Sequence, residues 1–155
     1  PTKRKLDVYF LGDGDTKLIN KLKNKTINNK GNQFHFLGFL EREKVYSLTK
    51  NSDIAVFMSS VECFGITLLE YMRIGMPIVC SSESSLPETL QNSGLLVNPF
   101  NERSIIKAIT DLELNQDLRE EFGKKAYTNS LKYSWGKTAK ETYYFLNKIY
   151  KEILK

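Results

Sequence analysis

The chain has 155 residues, 41% hydrophobic and 26% charged, which is the make-up of one ordinary globular domain with room for a core. No stretch approaches the roughly 18 apolar residues of a membrane helix, and the N-terminus lacks a signal peptide's charged-then-apolar order, so a cytoplasmic protein is expected. Charge is uneven: 11 Lys/Arg against 5 Asp/Glu in residues 1–50, 1 against 5 in 51–100, and 11 against 8 in 101–155. Basic ends suit nucleotide phosphates, an anionic membrane surface or simply solvated lysine-rich helix faces. No RNA-binding aromatic motif, zinc finger or helix-turn-helix spacing accompanies them, so nucleic acid is not an expected partner.

In chain order, Leu6 to Leu11 reads as a strand closed by Gly12-Asp13-Gly14-Asp15, and Thr16 to Lys25 as a short helix with Leu18, Ile19 and Leu22 on one face. Strand, glycine turn and helix open a nucleotide-binding unit, but Lys17 stands where a dinucleotide fingerprint has its third glycine. Gly12 and Gly14 therefore read equally as a plain turn or a phosphate cradle. After a polar turn at residues 28–32, Phe34 to Leu37 is a second strand ended by Gly38, with His35 pointing away from Phe34 and Phe36. Glu41 to Asn51 reads as an amphipathic helix with Val45 and Leu48 inward, and Asp53 leads into an apolar strand, Ile54 to Met58.

The stretch 59–77 is the informative one. It runs from a loop holding Glu62 into a helix containing Glu70, and a second apolar strand, Pro77 to Cys80, follows. In a parallel βαβ unit, the loop after the first strand lies at the carboxyl end of the sheet, where open α/β folds bind ligands. The amides of Phe64, Gly65, Ile66 and Thr67 open the helix and can face an anion. Two acids around such a helix start suggest a ligand with both hydroxyls and phosphates. The plainer alternatives are an exposed loop acid for Glu62 and an i,i+3 pair with Arg73 for Glu70. Beyond it, Ser85 and Glu88 have capping-box spacing, and Gly94 to Val97 is the last strand. Helices then follow at 104–114, 117–131 and 134–154, the last with Tyr143, Leu146, Ile149, Tyr150 and Ile153 three and four apart. Cys63 and Cys80 suggest free thiols, and one histidine leaves no room for a His-based metal site. The closest aspartates, Asp13 and Asp15, flank a glycine in a turn and are read as turn residues. No metal is expected.

Glu62-Cys-Phe-Gly-Ile-Thr-Leu-Leu-Glu70, with Met72, Gly75, Pro77 and Ile78-Val79, resembles the signature of retaining glycosyltransferases of the group 1 (family four) class. These enzymes have the two-Rossmann-domain architecture called GT-B. Gly12-Asp13-Gly14, Phe34-x-Phe36-x-Gly38, Ser52-Asp53, Leu86-Pro87-Glu88, Gly94 to Val97 and Ser134-Trp135 also fall where the family has similar residues. The resemblance implies an α/β fold, a Rossmann-like, doubly wound parallel sheet ending in helices, formed by residues 1–155 as a single C-terminal donor-binding domain. It makes Glu62 the catalytic acid that meets the donor sugar and Glu70 the acid on the ribose hydroxyls. Gly12, Gly14, Leu37, Gly38, Phe64, Gly65, Ile66 and Thr67 join Glu70 as substrate-binding residues. The expected function is retaining transfer of a hexosyl group from a nucleotide sugar to a glycan or glycolipid, without a metal, in the cytoplasm or at the inner membrane face. The family's Arg and Lys-Gly diphosphate grip would lie before the first strand, where Lys3, Arg4 and Lys5 lack its spacing, and an N-terminal acceptor domain would be the missing partner. A chain short of those parts is expected to be inactive alone. The other readings are a non-catalytic nucleotide-sugar-binding module or partner subunit, and a nucleotide-sugar epimerase of the same architecture.

Overall fold

A computed structural model describes residues 5–27, 29 and 31–154. Lys3 and Arg4, and Asn28 and Lys30 of the expected turn, lie outside the described residues. The chain forms two compact units, meeting in sequence at Ser52–Asp53. Among the described residues, five strands make two parallel sheets. In the first unit, β1 (Asp7–Phe10) pairs with β2 (Gln33–Phe36) across the helix α1 (Thr16–Thr26), and α2 (Arg42–Lys50) follows. Cross-strand partners stack: Phe10 on Phe36 and Tyr9 on His35, both with ring centroids 4.6 Å apart. His35 reaches Asp7 at 3.5 Å on the side opposite Phe34 and Phe36.

In the second unit, β3 (Ala55–Phe57), β4 (Ile78–Ser81) and β5 (Leu95–Val97) lie side by side in that order. The connections are helices α3 (Ile66–Ile74) and α4 (Leu86–Leu90), and α5 (Glu102–Leu114), α6 (Gln116–Ser130) and α7 (Trp135–Ile153) close the chain. β4 is buried throughout, as a central parallel strand covered on both faces must be. Its alternation sorts the core into two layers. Ile78 and Cys80 face Leu68 and Met72 of α3, Leu86 and Leu90 of α4, and Ala126 of α6. Val79 faces the other way, to Ala108 and Leu112 of α5 with Leu118 and Phe122 behind them. This is the expected α/β architecture.

Most predicted elements are present with ends moved by a residue or two. Pro77 has no N–H to donate, so β4 begins at Ile78, while the Pro77 carbonyl accepts from Ala55 N–H at 3.0 Å. Leu37 falls just beyond β2, its N–H bonded to the Phe10 carbonyl at 3.0 Å. The expected capping box at Ser85 is not formed. Ser85 precedes α4 with helical backbone and makes no cap bond, because its hydroxyl donates instead to the Glu62 carbonyl at 3.0 Å. Burial pushes the Cys80 thiol up to about 12, whereas Cys63 is exposed. Iodoacetamide at pH 8 should therefore label Cys63 in the native chain and leave Cys80 unmodified until urea unfolds it; equal labelling of both would contradict the packing of β4.

Candidate functional site

Apart from Glu70, which lies within α3, the sequence-predicted residues fall in the segments that follow the carboxyl ends of strands of their own units. In the first unit, Gly12 N–H donates to the Gly38 carbonyl at 2.8 Å, which ties the two post-strand loops together. Both glycines have positive φ, +95° and +62°, and a Cβ on Gly38 would lie 3.2 Å from an Asp13 carboxylate oxygen. Leu37 sits beside them, and Gly14 has ordinary backbone. The start of α1 is already occupied. Asp15 accepts from Lys17 N–H at 2.7 Å and Leu18 N–H at 3.0 Å, so an anion there would compete with a resident carboxylate.

The second unit holds the other group. α3 begins at Gly65, in left-handed backbone at φ +83°, which has no side chain to cap the first-turn amides. By contrast α1, α5, α6 and α7 are capped by Asp15, Asn101, Asn115 and Ser134. The amides of Ile66 and Thr67 at the positive end of the α3 dipole thus lack a resident side-chain acceptor. Glycine is required at 65 twice over, since a Cβ would also come within 2.8 Å of the buried Leu86 side chain.

Leu68 and Met72, four apart, are fully buried. Glu70 lies two residues from each, roughly 200° around the helix, and so points away from the core; it is half-buried and shares its face with Ile66 and Thr67. That explains how a carboxylate fits within so apolar a helix. Burial, and after it the Glu70 charge, push the neighbouring Tyr71 phenol up. Arg73, the alternative partner, places Nη2 3.1 Å from the Tyr133 carbonyl.

The loop before α3 is stapled to the loop after β4. Ser84 Oγ accepts from Glu62 N–H at 3.2 Å and donates to the Glu62 carbonyl at 2.7 Å. Thr89 Oγ1 donates to the Phe64 carbonyl at 2.9 Å, and the Phe64 ring meets Tyr133 edge-on. Asn129 of α6 extends the support inward, its Nδ2 donating to the carbonyls of Thr89 and Leu90 at 3.0 and 3.1 Å. Local pattern did not single out Ser84, Thr89 or Asn129, because each acts across 22 to 40 residues of chain. Among the described residues, no three His, Cys, Asp or Glu side chains are grouped to hold a metal.

Residues 2–129 match the family model described as glycosyl transferases group 1. An uncharacterized glycosyltransferase of Methanocaldococcus jannaschii is 36% identical over 110 residues, 69% of this chain and 28% of that protein. The O-antigen chain mannosyltransferase B of Escherichia coli is 29% identical over 107 residues, again 69% of this chain and 28% of the relative. Among solved structures, Anabaena HepE in complex with UDP superposes with a TM-score of 0.80 at 18% identity, covering 96% of this chain and 42% of that one. The chain thus spans less than half the length of these relatives.

Proposed function

Because the chain belongs to the group 1 glycosyl transferases, we propose that it is the nucleotide-sugar-binding half of a retaining hexosyltransferase. Transfer breaks the anomeric C–O bond and leaves negative charge on the β-phosphate, which preorganised dipoles stabilise best. The observation that carries this reading is the start of α3, an uncapped helix N-terminus on a left-handed glycine with an acid on either side. In this account the Ile66 and Thr67 amides, with the Phe64–Gly65 backbone, receive the diphosphate. The Glu62 carboxylate accepts from sugar hydroxyls, and Glu70 accepts from ribose hydroxyls. Gly12, Gly14, Leu37 and Gly38 are assigned to the substrate from their position at strand ends alone. An acceptor-binding domain completes the enzyme, a role supported by the share of its relatives that this chain spans. The exposed apolar stripe of α7, with Tyr143, Leu146, Tyr150 and Ile153, is a surface such a domain would cover. The acceptor is a glycan or glycolipid, met in the cytoplasm or at the inner membrane face.

Calorimetry with UDP, GDP, UDP-glucose and GDP-mannose tests the reading, with weak binding of at least one expected and transfer only once an acceptor-binding domain is supplied. Binding to none would overturn it; binding without transfer in the completed protein would make the chain a non-catalytic module. The amides need no cation, so affinity should be the same in EDTA as in magnesium. A ligand bound only with magnesium would move the phosphate site to the carboxylates of Asp13 and Asp15.

A further inference from the structure

Ser84 is one of two non-glycine residues with positive φ among the described residues, at +60°. Serine gains nothing intrinsic from that conformation, and such residues persist only where their surroundings hold them. What holds Ser84 is specific: its single hydroxyl bonds both main-chain polar groups of one residue, the N–H and the C=O of Glu62. The Ser85 hydroxyl adds a second donor to the same carbonyl. No other residue of the 59–65 loop is held by three side-chain bonds from one neighbouring loop, and the residue so held is the candidate sugar acid.

We propose that Ser84 is a positioning residue for Glu62, accepting a left-handed backbone so that its hydroxyl fixes the peptide units on either side of the acid. This rests on the assignment of Glu62 to the donor sugar. With both peptide units clamped, only the Glu62 side-chain torsions remain free, and the carboxylate meets sugar hydroxyls at a lower ordering cost. The backbone strain and the staple are separable by mutation. Ser84→Gly removes the hydroxyl and relieves the positive φ, whereas Ser84→Ala removes the hydroxyl and keeps the strain.

The test compares Kd for UDP-glucose with UDP, and for GDP-mannose with GDP, in the wild type, Ser84→Gly, Ser84→Ala and Glu62→Gln. In the wild type at least one sugar should strengthen binding about fivefold or more over its parent diphosphate. Both Ser84 variants should lose most of that sugar increment, with diphosphate affinity within about twofold of wild type, and Ser84→Gly should melt no lower than wild type. That pattern separates positioning from loss of structure. If Ser84→Gly keeps the increment while Glu62→Gln abolishes it, the positioning role is wrong and the assignment of Glu62 stands. If Glu62→Gln keeps the increment, or if neither sugar adds affinity in the wild type, both fall.

Discussion

Gly123→Ala should lower the urea midpoint of unfolding, whereas Gly136→Ala, the same change in another helix, should raise it. A Cβ on Gly123 in α6 would lie 2.4 Å from the Gly75 carbonyl oxygen, far inside contact distance. That oxygen cannot turn away, because Gly75 ends α3 in left-handed backbone at φ +78° with its N–H on the Met72 carbonyl, and Met76 N–H on the Tyr71 carbonyl. The helices must part by roughly 1 Å to restore an ordinary C···O separation of about 3.3 Å. Parting them loosens Ala126 against Leu68 and Met72, a layer of the core. Overpacking of this kind costs about 1–3 kcal/mol, and against it stands the helix propensity gain of Ala over Gly, about 1 kcal/mol. Parting the backbones should win, so a net loss of about 1–2 kcal/mol is expected. At Gly136 in the first turn of α7 nothing lies within 4 Å, so only the propensity term acts and stability should rise by up to about 1 kcal/mol. Equal midpoints for Gly123→Ala and wild type would mean that α6 does not cross α3 this closely.

The contrast between those two glycines shows how far sequence reading reaches here. Ile54 to Met58, Pro77 to Cys80 and Gly94 to Val97 were readable as strands because buried parallel strands are short apolar runs between turn residues, a purely local signal. The α3 start was readable because a polar loop and a helix lie between two apolar strands, and Gly65 and Gly75, which flank the helix, both have positive φ. Gly123 carries no such mark; in sequence it is a flaw in a helix, and only its distance to Gly75, 48 positions earlier, gives it a reason. The serines near Glu62 failed in the same way. Ser85-x-x-Glu88 fits a capping box, but the hydroxyl has a tertiary acceptor in the Glu62 carbonyl, and tertiary geometry overrides the local motif.

Glu70→Gln should weaken binding of the nucleoside diphosphate at least about tenfold while barely changing the melting temperature without ligand. The stability half follows from the position: Leu68 and Met72 carry the core face of α3, and Glu70 points to the other side, half-buried. An isosteric change outside the core usually stays within about 0.5 kcal/mol. Were its role the helical pairing with Arg73, an exposed partner whose guanidinium also reaches the Tyr133 carbonyl, neutralising it would again cost under about 1 kcal/mol and leave binding untouched. The binding half follows from the chemistry of the proposed contact. A carboxylate presents two charged acceptors to a ribose diol, whereas an amide keeps the shape but offers one neutral acceptor and a donor facing a hydroxyl. Each lost bond to a charged group is worth roughly 1.5–3 kcal/mol, and about 1.4 kcal/mol is already tenfold in affinity. The comparison is best made with UDP and GDP against their 2′-deoxy forms: the wild type should prefer the ribonucleotide, and Glu70→Gln should bind ribo and deoxy forms alike. If the variant keeps both its affinity and that preference, Glu70 does not touch the ribose and is removed from the proposed site.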